Sequence, residues 1–321
     1  MNALLALTVC SLAVLGLCLG VQSLALDQVF NILIGQSTEQ SFVVTGLRLP
    51  RVLTAVVAGA AFGFAGVTFQ VLLRNPLASP DIIGISAGAS ASAVAGILLF
   101  GATGLALTGL ALMGGLATAA VIFLLSQRGG TLGLRLILVG IGCAALLTAV
   151  TQWMLARANQ WDVLAALRWL TGSLNSAFWP ALWPLLSGFA LVAPFLLFAA
   201  RSVPVLQLGD DVATGLGVRP RRLRATLLII AVLLIAVATA TTGPIAFVAL
   251  LAGPIASRLV RRESFPLVTA GLTGAIIVLS ADLVSQHLAP VNYPVGVVTG
   301  LIGAPFLLFL LARAHRQGIS I

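Results

Sequence analysis

The run IIGISAGASASAVAGILLFGATGLALTGLALMGGLATAAVIFLLSQ, residues 82–127, contains no charged side chain. At about 1.5 Å of rise per residue it would make a helix of about 69 Å, more than twice a hydrocarbon core of about 30 Å. It therefore reads as two membrane-spanning helices, turned back at Gly101-Ala102-Thr103-Gly104. The same arithmetic on the other charge-free runs gives spans at 1–26, 52–73, 136–156, 181–200 and 266–287, with a last one at 294–313. Residues 169–180 hold Trp169, Phe178, Trp179 and Pro180 and read as an interfacial segment, since tryptophan concentrates at membrane boundaries. Residues 225–257 exceed one helix, and Thr241-Thr242-Gly243-Pro244 supplies a break, with an N-cap threonine and a helix-starting proline, giving one span and then a shorter one at about 244–260. The expectation is an all-α polytopic membrane protein of about ten spans, one transmembrane domain over 1–321.

Composition supports this. Of 321 residues 60% are hydrophobic and 8% charged, with mean hydropathy +1.14, whereas soluble domains carry about 25% charged residues. All 17 basic residues are arginine, which excludes P-loop, Schiff-base and pyridoxal chemistry within this chain, each of which needs a lysine. The net charge of +9 reflects orientation in a membrane rather than nucleic-acid binding. Cys10, Cys18 and Cys143 have no metal-ligand spacing, and His287 and His315 lie far from them in sequence, so neither a metal site, a cofactor site nor a disulfide framework is expected. The N-terminal run lacks a basic n-region and outlasts a signal-peptide core of about 7 to 15 residues, so it reads as a retained first span.

Ten spans place both termini on one side. With that side cytoplasmic, Arg74, Arg128, Arg135, Arg201, Arg219, Arg221, Arg222, Arg224, Arg258, Arg261, Arg262, Arg313 and Arg316 are inside, and Arg48, Arg51, Arg157 and Arg168 are outside. The positive-inside rule is satisfied. Gly59-Ala-Ala-Phe-Gly63-Phe-Ala-Gly66 lets helices approach closely, within the subunit or across a dimer contact.

Three features could carry chemistry. Gly84-Ile-Ser86-Ala-Gly88 fits a nucleophile-elbow pattern, but His287 belongs at the opposite end of the spans, so a packed helix start is the better reading. Asp282 is the one acid inside a late apolar run, which suits either a proton relay or a hydrogen-bonded structural role. The segment 201–224 contains Asp210 and Asp211 where a first helical turn accepts acids, and Gly215 and Gly217 where that turn would stop. A short surface helix follows, serving either as a partner's handle or as a solvated loop.

Ordered motifs across roughly 40–313 resemble a known family. They are Arg48-Leu-Pro-Arg51; Gln70-x-x-x-Arg74-Asn75-Pro76-Leu77-Ala78-x-Pro80-Asp81-x-x-Gly84-x-x-x-Gly88; Leu208-Gly209-Asp210-Asp211-Val212-Ala213 with Leu216-Gly217; Gly243-Pro244-Ile245-Ala246-Phe247-Val248; and Pro294-Val295-Gly296 with Thr299 and Gly303-Ala304-Pro305-Phe306. The pattern is similar to the FecCD permeases, subunits of bacterial ATP-binding cassette (ABC) importers for iron–siderophore complexes, haem and cobalamin. That resemblance implies a cobalamin-importer-like (type II) fold in the cytoplasmic membrane. It also implies a second permease subunit, two cytoplasmic ATPase subunits and an extracytoplasmic binding protein. Residues 209–217 (Gly209, Asp210, Asp211, Ala213, Gly215, Leu216, Gly217) would be the coupling helix that receives the ATPase stroke. Arg48 and Arg51 would meet acids of the binding protein, Arg74 to Asp81 would form a cytoplasmic signature loop, and the fifth and tenth helices would line the pathway. Two departures stand out: Gly253-Pro254, where the family often has Pro-His, and Gln286, where it often has arginine. They favour pairing with a different permease, a heterodimer over a homodimer. The expected function is passage of a ferric siderophore, with cobalamin or haem as the alternative cargo and a proton-coupled carrier built on Asp282 as the rival class.

Overall fold

A computed structural model describes residues 1–20, 22–36, 39–81, 84–126, 132–260, 265–287 and 293–316. Its helices are α1 (Asn2–Cys18), α2 (Leu26–Leu33), a π-helical turn Val43–Arg48 running into α3 (Leu49–Leu72), α4 (Ile85–Phe100), α5 (Gly104–Ser126), α6 (Leu132–Ala156), α7 (Gln160–Leu170) and α8 (Trp179–Ala200). They continue with α9 (Val203–Gln207), α10 (Asp210–Gly215), α11 (Pro220–Thr242), α12 (Val248–Leu259), α13 (Leu267–His287) and α14 (Val295–Arg316). Six are long and apolar enough to cross a membrane: α3 with its π turn, α5, α6, α8, α11 and α13; four shorter apolar helices, α1, α4, α12 and α14, bring the number to the ten expected. Arg128, Arg261, Arg262 and the loop residues 289–292 lie outside the described residues.

Helix boundaries depart from the sequence reading at four places, one being the second span, which starts at Val43 with the π turn rather than at 52. The first span stops at Cys18 rather than 26, because the Arg48 guanidinium donates to the carbonyls of Leu17 (2.7 Å) and Cys18 (3.1 Å) and terminates α1 there. The interfacial element is α7, at 160–170, followed by irregular chain to Phe178; Arg157, Asp162 and Arg168 had split that stretch out of every apolar run. The break after Thr242 is also longer than expected, since α12 starts at Val248 and not at Pro244. Thr242 does not cap α12: its hydroxyl donates back to the Ala238 carbonyl (3.0 Å) and to that of Gly243.

The fold is centred on α3. Its apolar window is 78% buried, against 17% for α6, so α3 is enclosed by protein while α6 offers most of its surface to lipid or another subunit. Helix α3 packs on α11, α12 and α13, and α1 lies along α13. Small residues set these distances. A methyl on Gly63 would fall 2.1 Å from the Ala270 carbonyl oxygen, and one on Gly66 1.9 Å from that of Ala249. The glycine stripe thus serves close packing inside this chain, against α12 and α13.

At the Arg48 end, three chain corners meet backbone to backbone. Ser173 N–H donates to Thr242 (2.8 Å), and Gly296 N–H donates to Gly172 (3.0 Å). There is no room for a side chain there: a Cβ on Gly296 would sit 1.9 Å from the Thr171 oxygen.

Candidate functional site

Two groups of the expected residues stand at opposite ends of α3, the first at its Arg48 end. Arg51, one turn into the helix, reaches Asp282 on α13. Its Nε donates to both carboxylate oxygens (3.1 and 3.0 Å), and Nη2 to one of them (2.8 Å). Gln286, one turn further along α13, donates its Nε2 to the other oxygen at 2.7 Å. Both oxygens of Asp282 are therefore filled, and its side chain is only 6% exposed. This is a satisfied charge pair tying α3 to α13, which removes the free carboxylate that a proton relay needs. The departure at Gln286 has a local purpose, as the amide completes the shell around Asp282.

Arg48 lies beside it with a different set of partners, the carbonyls of Leu17, Cys18 and Gln22. No carboxylate among the described residues pairs with it. Both arginines border a cavity of about 540 Å³ whose other polar lining comes from Gln22, Asn175 and Gln286. Counting Arg48, Arg51 and Asp282, that recess carries one net positive charge. Its wall is fixed partly by Trp179, whose indole N–H donates to Thr45 inside the π turn (2.8 Å).

At the other end, α3 runs into the loop from Arg74 to Asp81. Arg74 is exposed and takes a left-handed backbone (φ 51°), uncommon for a side-chain-bearing residue. Asn75 accepts the Leu77 N–H on its Oδ1 (2.8 Å), and its own N–H returns to Gln70 (3.0 Å), which closes a compact turn with Pro76 exposed and Ala78 and Pro80 buried. Gln70 in turn donates to the Leu250 carbonyl on α12 (3.0 Å). Its side chain lies where a Cβ on Gly253 would be, at 1.8 Å, so the Gly253 departure makes room for this contact. Asp81 accepts the Ser86 hydroxyl at 2.6 Å and that of Ser79 at 3.4 Å. Burial pushes its carboxyl above the usual carboxylate range, and the two hydroxyls partly offset this. Ser86 is thus bonded to a carboxylate rather than to a histidine, and the elbow pattern is a helix start.

The short helix expected from Asp210 to the following glycines is α10, closed by Leu216 and by Gly217 at φ 80°. Ala213 is fully buried beneath it, whereas Leu208, Val212 and Leu216, four residues apart, are 65%, 49% and 63% exposed. Asp210 is held by Arg224 of α11 through two parallel bonds, Nη1 to Oδ2 (2.8 Å) and Nη2 to Oδ1 (2.7 Å). That bond and the Arg224 and Arg74 charges keep the Asp210 carboxyl below its usual range. Asp211 is exposed and forms no ion pair among the described residues. Sequence reasoning missed Arg224, because within the cluster 219–224 nothing distinguishes it from Arg219, Arg221 and Arg222. Phe247 falls within the motif running from Gly243 to Val248, but its left-handed backbone (φ 64°) at the start of α12 and its packing on Gly303 of α14 had no sequence signal.

The profile of the FecCD transport family matches residues 5–313. The chain is 40% identical to the ferric enterobactin transport permease FepG of Escherichia coli, over 98% of this chain and 97% of that protein. It is 42% identical to the achromobactin permease CbrC of Dickeya dadantii, over 95% and 89%. Among solved structures, a metal-chelate type ABC transporter in an inward-facing conformation superposes with a TM-score of 0.87 at 29% identity, covering 97% of this chain and 98% of that one.

Proposed function

The chain belongs to the FecCD transport family and is a membrane-spanning permease subunit of an ABC importer; from that premise we propose that its cargo is a ferric siderophore complex entering across the bacterial cytoplasmic membrane. The observation that carries the mechanism is α10, a short helix whose Val212 is exposed together with the flanking Leu208 and Leu216, beside the acid Asp211. Such a surface suits a separate ATPase subunit, which would supply the hydrolysis that this lysine-free chain lacks the means to perform. The siderophore class is supported by the relatives, which transport ferric enterobactin and achromobactin.

In this reading two permease subunits, a heterodimer rather than a homodimer, enclose the pathway and stand on two ATPases, with both termini cytoplasmic. A binding protein docks at the opposite face. There the net positive recess around Arg48 and Arg51 attracts an acidic surface, with the salt dependence expected of exposed charge pairing. The chain does no covalent chemistry: α6 and α14, the fifth and tenth apolar helices, line a pathway that opens alternately to the two sides.

Uptake of a panel of labelled ferric siderophores, with labelled cobalamin in parallel, by iron-starved cells with and without the gene tests the substrate class. Selective loss of ferric siderophore uptake is expected. Loss of cobalamin uptake alone would move the cargo and keep the architecture.

A further inference from the structure

The two aspartates of α10 differ in what they touch. Asp211 is exposed and in no ion pair among the described residues, whereas Asp210 is gripped by a two-pronged guanidinium from α11. Geometry of this kind fixes orientation as well as distance, because a planar fork meets a planar carboxylate in one relative pose. The grip is reinforced by backbone: Val218 N–H donates to Ala213 (2.9 Å) and Gly217 N–H to Thr214 (3.0 Å), so the connection between the two helices is a closed turn. On its other side α10 packs against α9.

Helix α11 then runs for about 34 Å at 1.5 Å per residue. At its far end the Thr242 carbonyl is bonded to Ser173, in the corner where Gly172, Gly243 and Gly296 meet. Along the way α11 packs on α3, α5 and α8. A displacement of α10 that is carried rigidly by α11 thus reaches both the core and the opposite face.

We propose that the Asp210–Arg224 pair is a positioning clamp that makes α10 and α11 one lever, and that Arg224 is a positioning residue for coupled transport. This deepens the reading of α10 as the ATPase contact and rests on it. Both aspartates are exposed, but Asp210 is engaged by Arg224 and holds the lever together, which leaves Asp211, unpaired among the described residues, to meet the partner. Arg74 adds a second positive charge near Asp210 from the loop after α3, which strengthens the hold on the carboxylate.

The test uses the complete transporter, permeases with ATPase and binding protein, in proteoliposomes. Arg224→Gln is compared with the charge swap Asp210→Arg/Arg224→Asp, and the readout is siderophore delivered per ATP hydrolysed. A second readout is the spread of distances between spin labels on the exposed positions Thr214 and Thr226. Because an exposed ion pair contributes little to folding, Arg224→Gln still folds, and its delivery per ATP falls about three- to fivefold. The label distances broaden, and the swap recovers most of both. Wild-type delivery together with an unbroadened distribution in Arg224→Gln overturns the clamp. A wild-type complex that moves no siderophore on adding ATP overturns instead the reading on which the clamp rests.

Discussion

Replacing Asp282 with leucine tests whether the charges at the Arg48 end hold the protein together. The substitution leaves the Arg51 guanidinium facing apolar neighbours on α13 and removes the acceptor of three charge-assisted bonds from Arg51 and one from Gln286. Removing one partner of a buried pair costs about 3–5 kcal/mol, most of it for stranding the other charge. Here the lower end applies, because the Arg51 side chain keeps 21% exposure towards the recess and can recruit water. The expected loss is therefore about 3 kcal/mol for Asp282→Leu and also about 3 kcal/mol for Arg51→Met, where the stranded carboxylate is more buried but keeps the Gln286 amide. The double variant Arg51→Met/Asp282→Leu strands neither charge and should cost no more than about 1 kcal/mol, since an apolar pair can replace an ionic one. Reversible unfolding of the four proteins in mixed detergent–lipid micelles closes the cycle, with an expected coupling of about 5 kcal/mol. Additive costs, with the double variant as unstable as the sum of the singles, would refute the reasoning.

Two further outcomes follow from the packing and from the signature loop. Gly63→Val drives a side chain into the Ala270 carbonyl and should abolish the folded, monodisperse protein in size-exclusion chromatography, whereas Gly109→Ala, which meets nothing within 4 Å, should be neutral. Asp81 has a folded pKa raised above its ordinary 3.8, so between those two values the native state binds more protons than the unfolded one and stability falls as pH rises. Asp81→Asn abolishes that slope and should be more stable than the parent near neutral pH, the advantage shrinking on acidification, as read by unfolding at several pH values.

How much of this was legible in the sequence depended on how far each signal reached along the chain. Span number came through because it needs only length and the absence of charge, as in residues 82–127. Helix α10 was visible because Asp210, Asp211, Gly215 and Gly217 are local start and stop signals. The end of α1 was not, because what stops it at Cys18 is an arginine thirty residues later. Arg51 and Asp282 were each singled out, one as a docking group and one as a lone acid, yet their pairing spans 231 positions and has no local mark. The start of α12 was misplaced for a related reason: Pro244 is a fair helix opener locally, but the chain from Gly243 to Phe247 packs on Gly172, in the irregular chain after α7, and on Gly303 of α14, both far away in sequence. At membrane depth such irregular backbone is tolerated where protein encloses it.

The corner where Gly172, Ser173, Thr242 and Gly296 exchange backbone bonds has a consequence for the order in which the protein is made. The ribosome delivers α7 and α8 well before α11, and α14 last of all. Until α14 arrives, the Gly172 carbonyl has no Gly296 N–H to satisfy it, and in a lipid setting each unsatisfied backbone group costs several kcal/mol. The newborn chain therefore has an open seam that only its final helix can shut. A chain stalled before α14 keeps that seam, with the Gly172 carbonyl uncovered as a mark by which a membrane protease can tell an unfinished subunit from a finished one.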